Sequence, residues 1–227
     1  MRATWDEGGK RYYETGVDRA MLYKMKNNAY PFGVPWSGIK SVEESPSGAE
    51  SNGFYADNMK YFNLTSAEEY ACTIGAYMYP DEFAECDGSV EVADGVHIGQ
   101  QTRVPFGLCY RTLLGNDTEK NKHGYKLHLV YGCEASPSSK THDTVNDSPE
   151  PSEMSWEVNT TPVPVKNYDP TATMEVDSTK TPPEKLKLLG DILYGKDPTS
   201  EDADDGVDPR LPLPDEVIAL VGVAAVA

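Results

Sequence analysis

Phenylalanine is scarce in this chain, 5 residues against 14 tyrosines, and basic residues are scarcer than acids, 20 against 37. The resulting net charge of −17 argues against a surface that grips nucleic-acid phosphates, which takes clustered Lys and Arg. It suits high solubility, or a wall that keeps polyanions from sticking. No apolar run approaches the roughly 18 residues of a membrane span, and residues 217–227 are too few for one. The opening MRATWDEGGKRYY has no apolar core, so no export signal is expected. The cysteines at 72, 86, 109 and 133 lack CxxC spacing, and without export they are expected to be reduced and partly buried.

Catalytic signatures are missing as well. The sequence has no GxSxG elbow, HExxH, phosphate-binding loop or dinucleotide GxGxxG. His97, His123, His128 and His142 are scattered, and His123 and His128 read as solvated positions on a strand pair. A calcium loop starting at Glu201 would put Gly206 correctly, but Ala203 cannot be a ligand and Pro212 stands where the closing glutamate belongs. No catalytic, cofactor-binding or metal-ligating residue is assigned. The chain is expected to be no enzyme and to need no cofactor.

What remains is β-pattern. Residues 104–136 read as a β-hairpin, VPFGLCYRTLL and YKLHLVYGC, around a polar tip GNDTEKNKHG at 115–124. Phe106, Leu108, Tyr110, Thr112 and Leu114 alternate along one arm, and Tyr125, Leu127, Leu129 and Tyr131 along the other. Placing both apolar sets on one face pairs Leu114 with Tyr125, Thr112 with Leu127 and Tyr110 with Leu129. Cys109 and Cys133 then point to opposite faces and cannot bridge. Further strands are expected at 18–25, 36–44, 70–79, 153–158 and 171–177, with loops at 27–35, 45–53 and 137–152. Residues 80–88 read as a turn or a single helical turn. One helix stands out at 181–194: Thr181-Pro182-Pro183-Glu184 is a capping-box pattern, Leu186, Leu189, Ile192 and Leu193 form a stripe, and Gly195 ends it.

The organisation expected is an N-terminal arm at 1–16, a β-sandwich domain with its flanking helix at 17–195, and an acidic linker with a C-terminal arm at 196–227. The apolar tail from Leu211, beyond the polar linker, is expected to dock outside its own domain.

Longer blocks carry a resemblance. YADNMKY, YPDEFAECDG, GQQTR, GNDTE, GYKLHLVYG and NTTPVPV, in colinear segments at 44–88, 95–132 and 145–165, resemble the major tail proteins of long-tailed, non-contractile bacteriophages. The likeness runs from about Tyr12 to Leu220; residues 1–10, DPTSEDADDGVD and VGVAAVA have no clear counterpart. It implies a mainly β, sandwich or barrel-like tail tube fold with extended arms. It also implies a structural virion protein, assembled in the host cytoplasm, whose hexameric rings stack into a hollow tube. Its partners would be copies of itself, a tape-measure protein, tail-tip initiator and tail terminator proteins, and viral DNA passing through without specific binding; no membrane is involved. Under that reading Ser155, Glu157, Thr173 and Glu175 are expected to line the lumen. The competing expectation is a non-enzymatic β-sandwich binding or adhesion module of a tail or cell surface.

Overall fold

The computed structural model describes residues 2–142, 144, 151–200 and 205–222. The first hairpin joins β1 (Tyr12–Lys26) to β2 (Ala29–Pro35). Asn27 and Asn28 turn it with φ of 53° and 58°, the left-handed values that a two-residue hairpin turn needs. The stretch 27–35, expected as a loop, is therefore largely strand. After β3 (Ile39–Glu44), the chain runs out and back as a narrow ribbon. Its outgoing strands are β4 (Ser47–Gly48) and β5 (Ser51–Ala56), and its returning strands β6 (Met59–Thr65) and β7 (Glu68–Glu69). The expected loop at 45–53 is thus part of a ribbon that lacks apolar alternation because no core lies beneath it.

The chain returns as β8 (Ala71–Ala76), makes one helical turn as α1 (Phe83–Cys86), and forms the short pair β9 (Val90–Ala93) and β10 (Val96–Ile98). The central hairpin is β11 (Phe106–Asn116) and β12 (Lys120–Ala135). β13 (Met154–Thr160), β14 (Val163–Val165), β15 (Tyr168–Thr171) and β16 (Thr173–Asp177) follow, then the helices α2 (Pro183–Tyr194) and α3 (Pro214–Val221). The fold is mainly β, as expected. The main antiparallel sheet has the order β2-β1-β11-β12-β13-β8-β3, with β16 also paired to β12.

The central hairpin differs from expectation by one residue of register: Cys109 pairs with Leu129, Tyr110 with His128 and Leu113 with Tyr125. A single buried face was assumed, whereas both faces are buried. Phe106, Leu108 and Tyr110 enter one core with Val130, while Cys109, Leu127, Leu129 and Tyr131 enter a second. The tip is also tighter. Strand pairing continues to Asn116 and Lys120, leaving three turn residues. The Asn116 side chain accepts hydrogen bonds from the backbone N–H groups of Thr118 and Glu119, and Lys120 takes φ 54°.

Gly132 forms the corner of the sheet. Before it, β12 pairs with β16 from Lys126 to Val130; after it, with β13 from Cys133 to Ala135. The inward residues change phase there, from Val130 to Cys133 and Ala135. Gly132 has φ 60°, and a Cβ would stand 2.1 Å from the Thr161 carbonyl oxygen. Its N–H donates to the Tyr30 hydroxyl at 2.8 Å, and its C=O accepts from Thr161 at 2.9 Å.

The first core lies inside the curved sheet and centres on an aromatic group. Phe83 sits 4.5 Å from Trp36, 5.2 Å from Trp156 and 5.5 Å from Phe106, ring centre to ring centre. Met154, Trp156 and Val158 join it as expected. The second core lies under the helices, where Leu186, Leu189 and Leu193 of α2 meet Leu127, Leu129, Tyr131 and Val176. Gly195 ends α2 at φ 82°. The capping box does not form: Pro182 occupies the N-cap without a side-chain bond, and Thr181 spends its N–H on Asp177.

The C-terminal segment docks on its own domain, contrary to expectation. Leu211 and Val217 are buried in the second core, Tyr131 donates to Pro212 O, and Leu211 N–H donates to Tyr30 O. Leu211 and Val217 supply apolar area that α2 alone leaves uncovered. Residues 201–204 of the acidic linker, 145–150 of the expected loop and 223–227 of the tail lie outside the described residues.

Gly132→Ala should lower unfolding stability by at least about 2 kcal/mol, because alanine brings both left-handed strain and a clash. Urea unfolding followed by tryptophan fluorescence checks this; a change within about 0.5 kcal/mol would mean that the corner relaxes easily.

Candidate assembly surfaces

The ribbon from Ser47 to Glu69 projects from the domain with every residue of its four strands exposed. Asp57 and Asn58 turn its tip with φ of 51° and 63°. It carries six large apolar side chains: Tyr55 is 74% exposed, Tyr61 68% and Met59 63%, with Leu64, Phe62 and Phe54 less so. Phe54 stacks on its cross-strand partner Phe62 at 5.2 Å, and Tyr61 meets Phe62 edge-on at 5.7 Å. An isolated two-stranded ribbon is marginal in water, and a concentrated apolar surface of this kind marks an interaction site.

Two sides of the sandwich differ in cover. The outer face of β1, β11, β12 and β16 lies under α2 and α3. The outer face of β13, β8 and β3 is bare of helices and set with small and polar residues. Ser155, Gly75 and Ser41 form one row across it, and Glu157, Thr73 and Glu43 the next. Ser155, Glu157, Ser41 and Glu43 are exposed. Edges differ too. β2 is covered, since Gly33 N–H donates to Pro209 O at 2.7 Å; β3 and β16 each have one neighbour in the sheet. An open edge offers unpaired backbone groups to another strand.

The four residues expected in the lumen do not share one surface. Ser155 and Glu157 stand on the bare outer face. Glu175 pairs with His128, so it stands on the same side of the sheet as Tyr110 and the first core, and Thr173 lies on that side as well. Alternation along each strand was legible, but it does not say on which side of the sheet a strand's polar set falls.

Glu175 belongs to a polar group at the rim of the first core. Lys126 Nζ reaches Glu14 at 2.8 Å and Glu175 at 3.0 Å. His128, expected to be solvated, is buried: it stacks parallel to Tyr110 at 4.6 Å, with Nε2 2.9 Å from Thr112 Oγ1. The Tyr110 hydroxyl donates to Glu44 at 2.6 Å. Burial opposes ionisation of Glu14, yet hydrogen bonds from Lys126 and Thr112 outweigh it and hold its carboxyl below the usual range. This group ties β1, β3, β11, β12 and β16 together, and Glu14 and Lys126 also line a neighbouring hollow of about 500 Å³.

The four cysteines are buried and unbridged, and burial pushes the thiols of Cys72, Cys86 and Cys109 up to about 12, so they remain neutral. Cys109 and Cys133 do fall on opposite faces of the hairpin. Among the described residues no three His, Cys, Asp or Glu side chains converge as a metal site, and no helix is long and apolar enough to cross a membrane. No protein-family model matches the chain, and no curated protein matches it.

One ion pair fixes an irregular point of the sheet. Register slips on both sides of Asp18 in β1, and Arg111 grips both carboxylate oxygens there, at 2.7 and 2.6 Å. The Arg111 guanidinium holds Asp18 below its ordinary value of 3.8, so its contribution is full above that pH and is lost as pH falls through the depressed value. Asp18→Asn should therefore cost no more than about 1 kcal/mol at neutral pH, the pair being partly exposed. Its loss of stability between pH 5 and 2 should be shallower than that of the parent, as read by urea midpoints; parallel curves would contradict this.

Proposed function

We propose that this chain is a structural virion subunit that polymerises, as stacked hexameric rings, into the hollow tube of a phage tail. The observation that carries the reading is the ribbon β4–β7, whose aromatic side chains have no cover within the described chain. A second copy is the occupant that suits it, because β3 and β16 each have one strand neighbour among the described residues, so that a strand of a neighbouring copy can add beside them. Buried apolar area on the ribbon would supply the driving force, and edge pairing the register.

The helix-covered face is the outward side in this reading, and the bare face of β13, β8 and β3 faces the lumen. Ser155 and Glu157 keep their assignment there, joined by Ser41, Thr73 and Glu43; Thr173 and Glu175 pass to the rim. Closed into a hexamer, each ring carries six times the chain's −17. With a Debye length of about 8 Å at physiological salt, acidic side chains on such a wall repel phosphates close to it and leave DNA free to slide. The tape-measure, initiator and terminator proteins would bound the tube's length; DNA would pass without specific binding.

The ribbon test is direct. Tyr55→Ser with Tyr61→Ser should leave the circular dichroism of the monomer unchanged while abolishing concentration-dependent assembly in sedimentation velocity. Equal assembly by the variant would remove the ribbon from the interface. A monomeric wild-type protein that binds glycans through these exposed tyrosine rings would favour the adhesion module instead.

A second test addresses the wall. Glu43→Lys with Glu157→Lys should leave tube length intact and slow DNA delivery several-fold, measured as potassium efflux or genome entry after adsorption. Unchanged delivery would place this face away from the DNA.

A further inference from the structure

The strongest unassigned feature is a basic groove on an acidic molecule. It has a volume of about 710 Å³ and lies between α2 and the far half of the central hairpin. Leu127, Leu186 and Tyr194 form its apolar floor, and Arg19, Arg111, Lys122 and Lys187 stand around it. Asp18 neutralises Arg111. Asp191 also lines the groove, and His123 is engaged by Glu119 at 2.6 Å. Arg19, Lys122 and Lys187 make no ion pair with any described residue, although acids outnumber bases nearly two to one in this chain.

Arg19 is placed there at a conformational cost. It follows Asp18 within the second register slip of β1, between Asp18 and Met21, and holds φ 48°, a left-handed value that an arginine rarely adopts. A bulge of this kind re-aims a side chain. The same irregularity thus does two things: Asp18 is turned to clamp Arg111, and Arg19 lines the groove. Gly190 of α2 leaves the opposite wall open, with nothing within 4 Å of where a Cβ would stand.

We propose that this groove binds an acidic peptide segment of a second copy, the run Glu201–Asp205 with its flanks. Charge complementarity selects it. The groove keeps a positive excess after Asp18 and Asp191 are counted, and EDADD at 201–205 is the densest run of acids in the sequence. The assignment rests on the self-assembly reading only for the identity of the partner, since binding itself can be measured on a monomer.

The probe is a fluorescein-labelled synthetic peptide of residues 196–208, titrated with the full chain by fluorescence anisotropy. Binding should be seen at low ionic strength and weaken steeply between about 0.1 and about 1 M salt, as the Debye length falls from about 10 to about 3 Å. The variant Arg19→Asn, Lys122→Glu and Lys187→Glu should bind roughly tenfold less, asparagine being tolerant of the left-handed backbone. A double control, Lys26→Glu with Lys166→Glu, removes two exposed cations outside the groove lining and off the ribbon, and should bind like the parent. No peptide binding, or equal binding by the triple variant with its circular dichroism intact, overturns the groove assignment. Peptide binding by a chain that never forms tubes would sustain the groove and sink the tube; tubes without peptide binding would do the reverse.

Discussion

The fold depends on one residue without a side chain. Gly132 lets β12 exchange β16 for β13 and reverse which residues point inward, in a backbone shape closed to any Cβ by the Thr161 carbonyl. With one strand serving both halves, the sheet folds over an aromatic core on one side and leaves a second apolar surface on the other. Tyr30 links the two consequences: its hydroxyl accepts from Gly132, while its backbone carbonyl accepts from Leu211. Corner, helices and C-terminal segment are therefore one packing problem.

That asymmetry distributes chemistry over the surface. The apolar outer face is occupied by α2 and α3, whereas β13, β8 and β3 keep a polar face open to solvent. Titratable groups here serve cohesion: buried His128, with Lys126, Glu14 and Glu44 around it, joins strands at the rim, and the buried thiols are held neutral. What the domain does not satisfy is the ribbon β4–β7. Six large apolar side chains on a two-stranded ribbon are a poor arrangement for an isolated monomer and a good one for a subunit that always meets its copies.

Some of this was legible in the sequence and some was not, for physical reasons. The stripe Leu186, Leu189 and Leu193 and the glycine after it sufficed to place α2, because a period near 3.6 against one apolar wall is unambiguous. The strand at 171–177 was legible for the same kind of reason, with Met174 and Val176 facing one core. The central hairpin was recognised but shifted by one residue. Period-2 alternation fixes register only where one face is wet, and here Cys109 and Leu129 are as buried as Leu108 and Val130. Hairpins turned by Asn27-Asn28 and Asp57-Asn58 were read as loops or left undefined, since neither carries the glycine that usually marks such turns. The ribbon left no alternation to find, as no core of the described chain lies beneath it. Of the four residues expected in the lumen, Ser155 and Glu157 stand on the bare face; Thr173 and Glu175 do not, because the side of a sheet is decided by pairing.

The central claim is that this subunit exists to cover its ribbon with copies of itself. The most direct measurement is negative-stain electron microscopy of the purified, untagged chain across a concentration series, seeded with tail-tip complexes where assembly needs an initiator. The account predicts hollow rings or tubes of uniform width whose number rises steeply with concentration. Compact monomers at every concentration, with and without the seed, would contradict it.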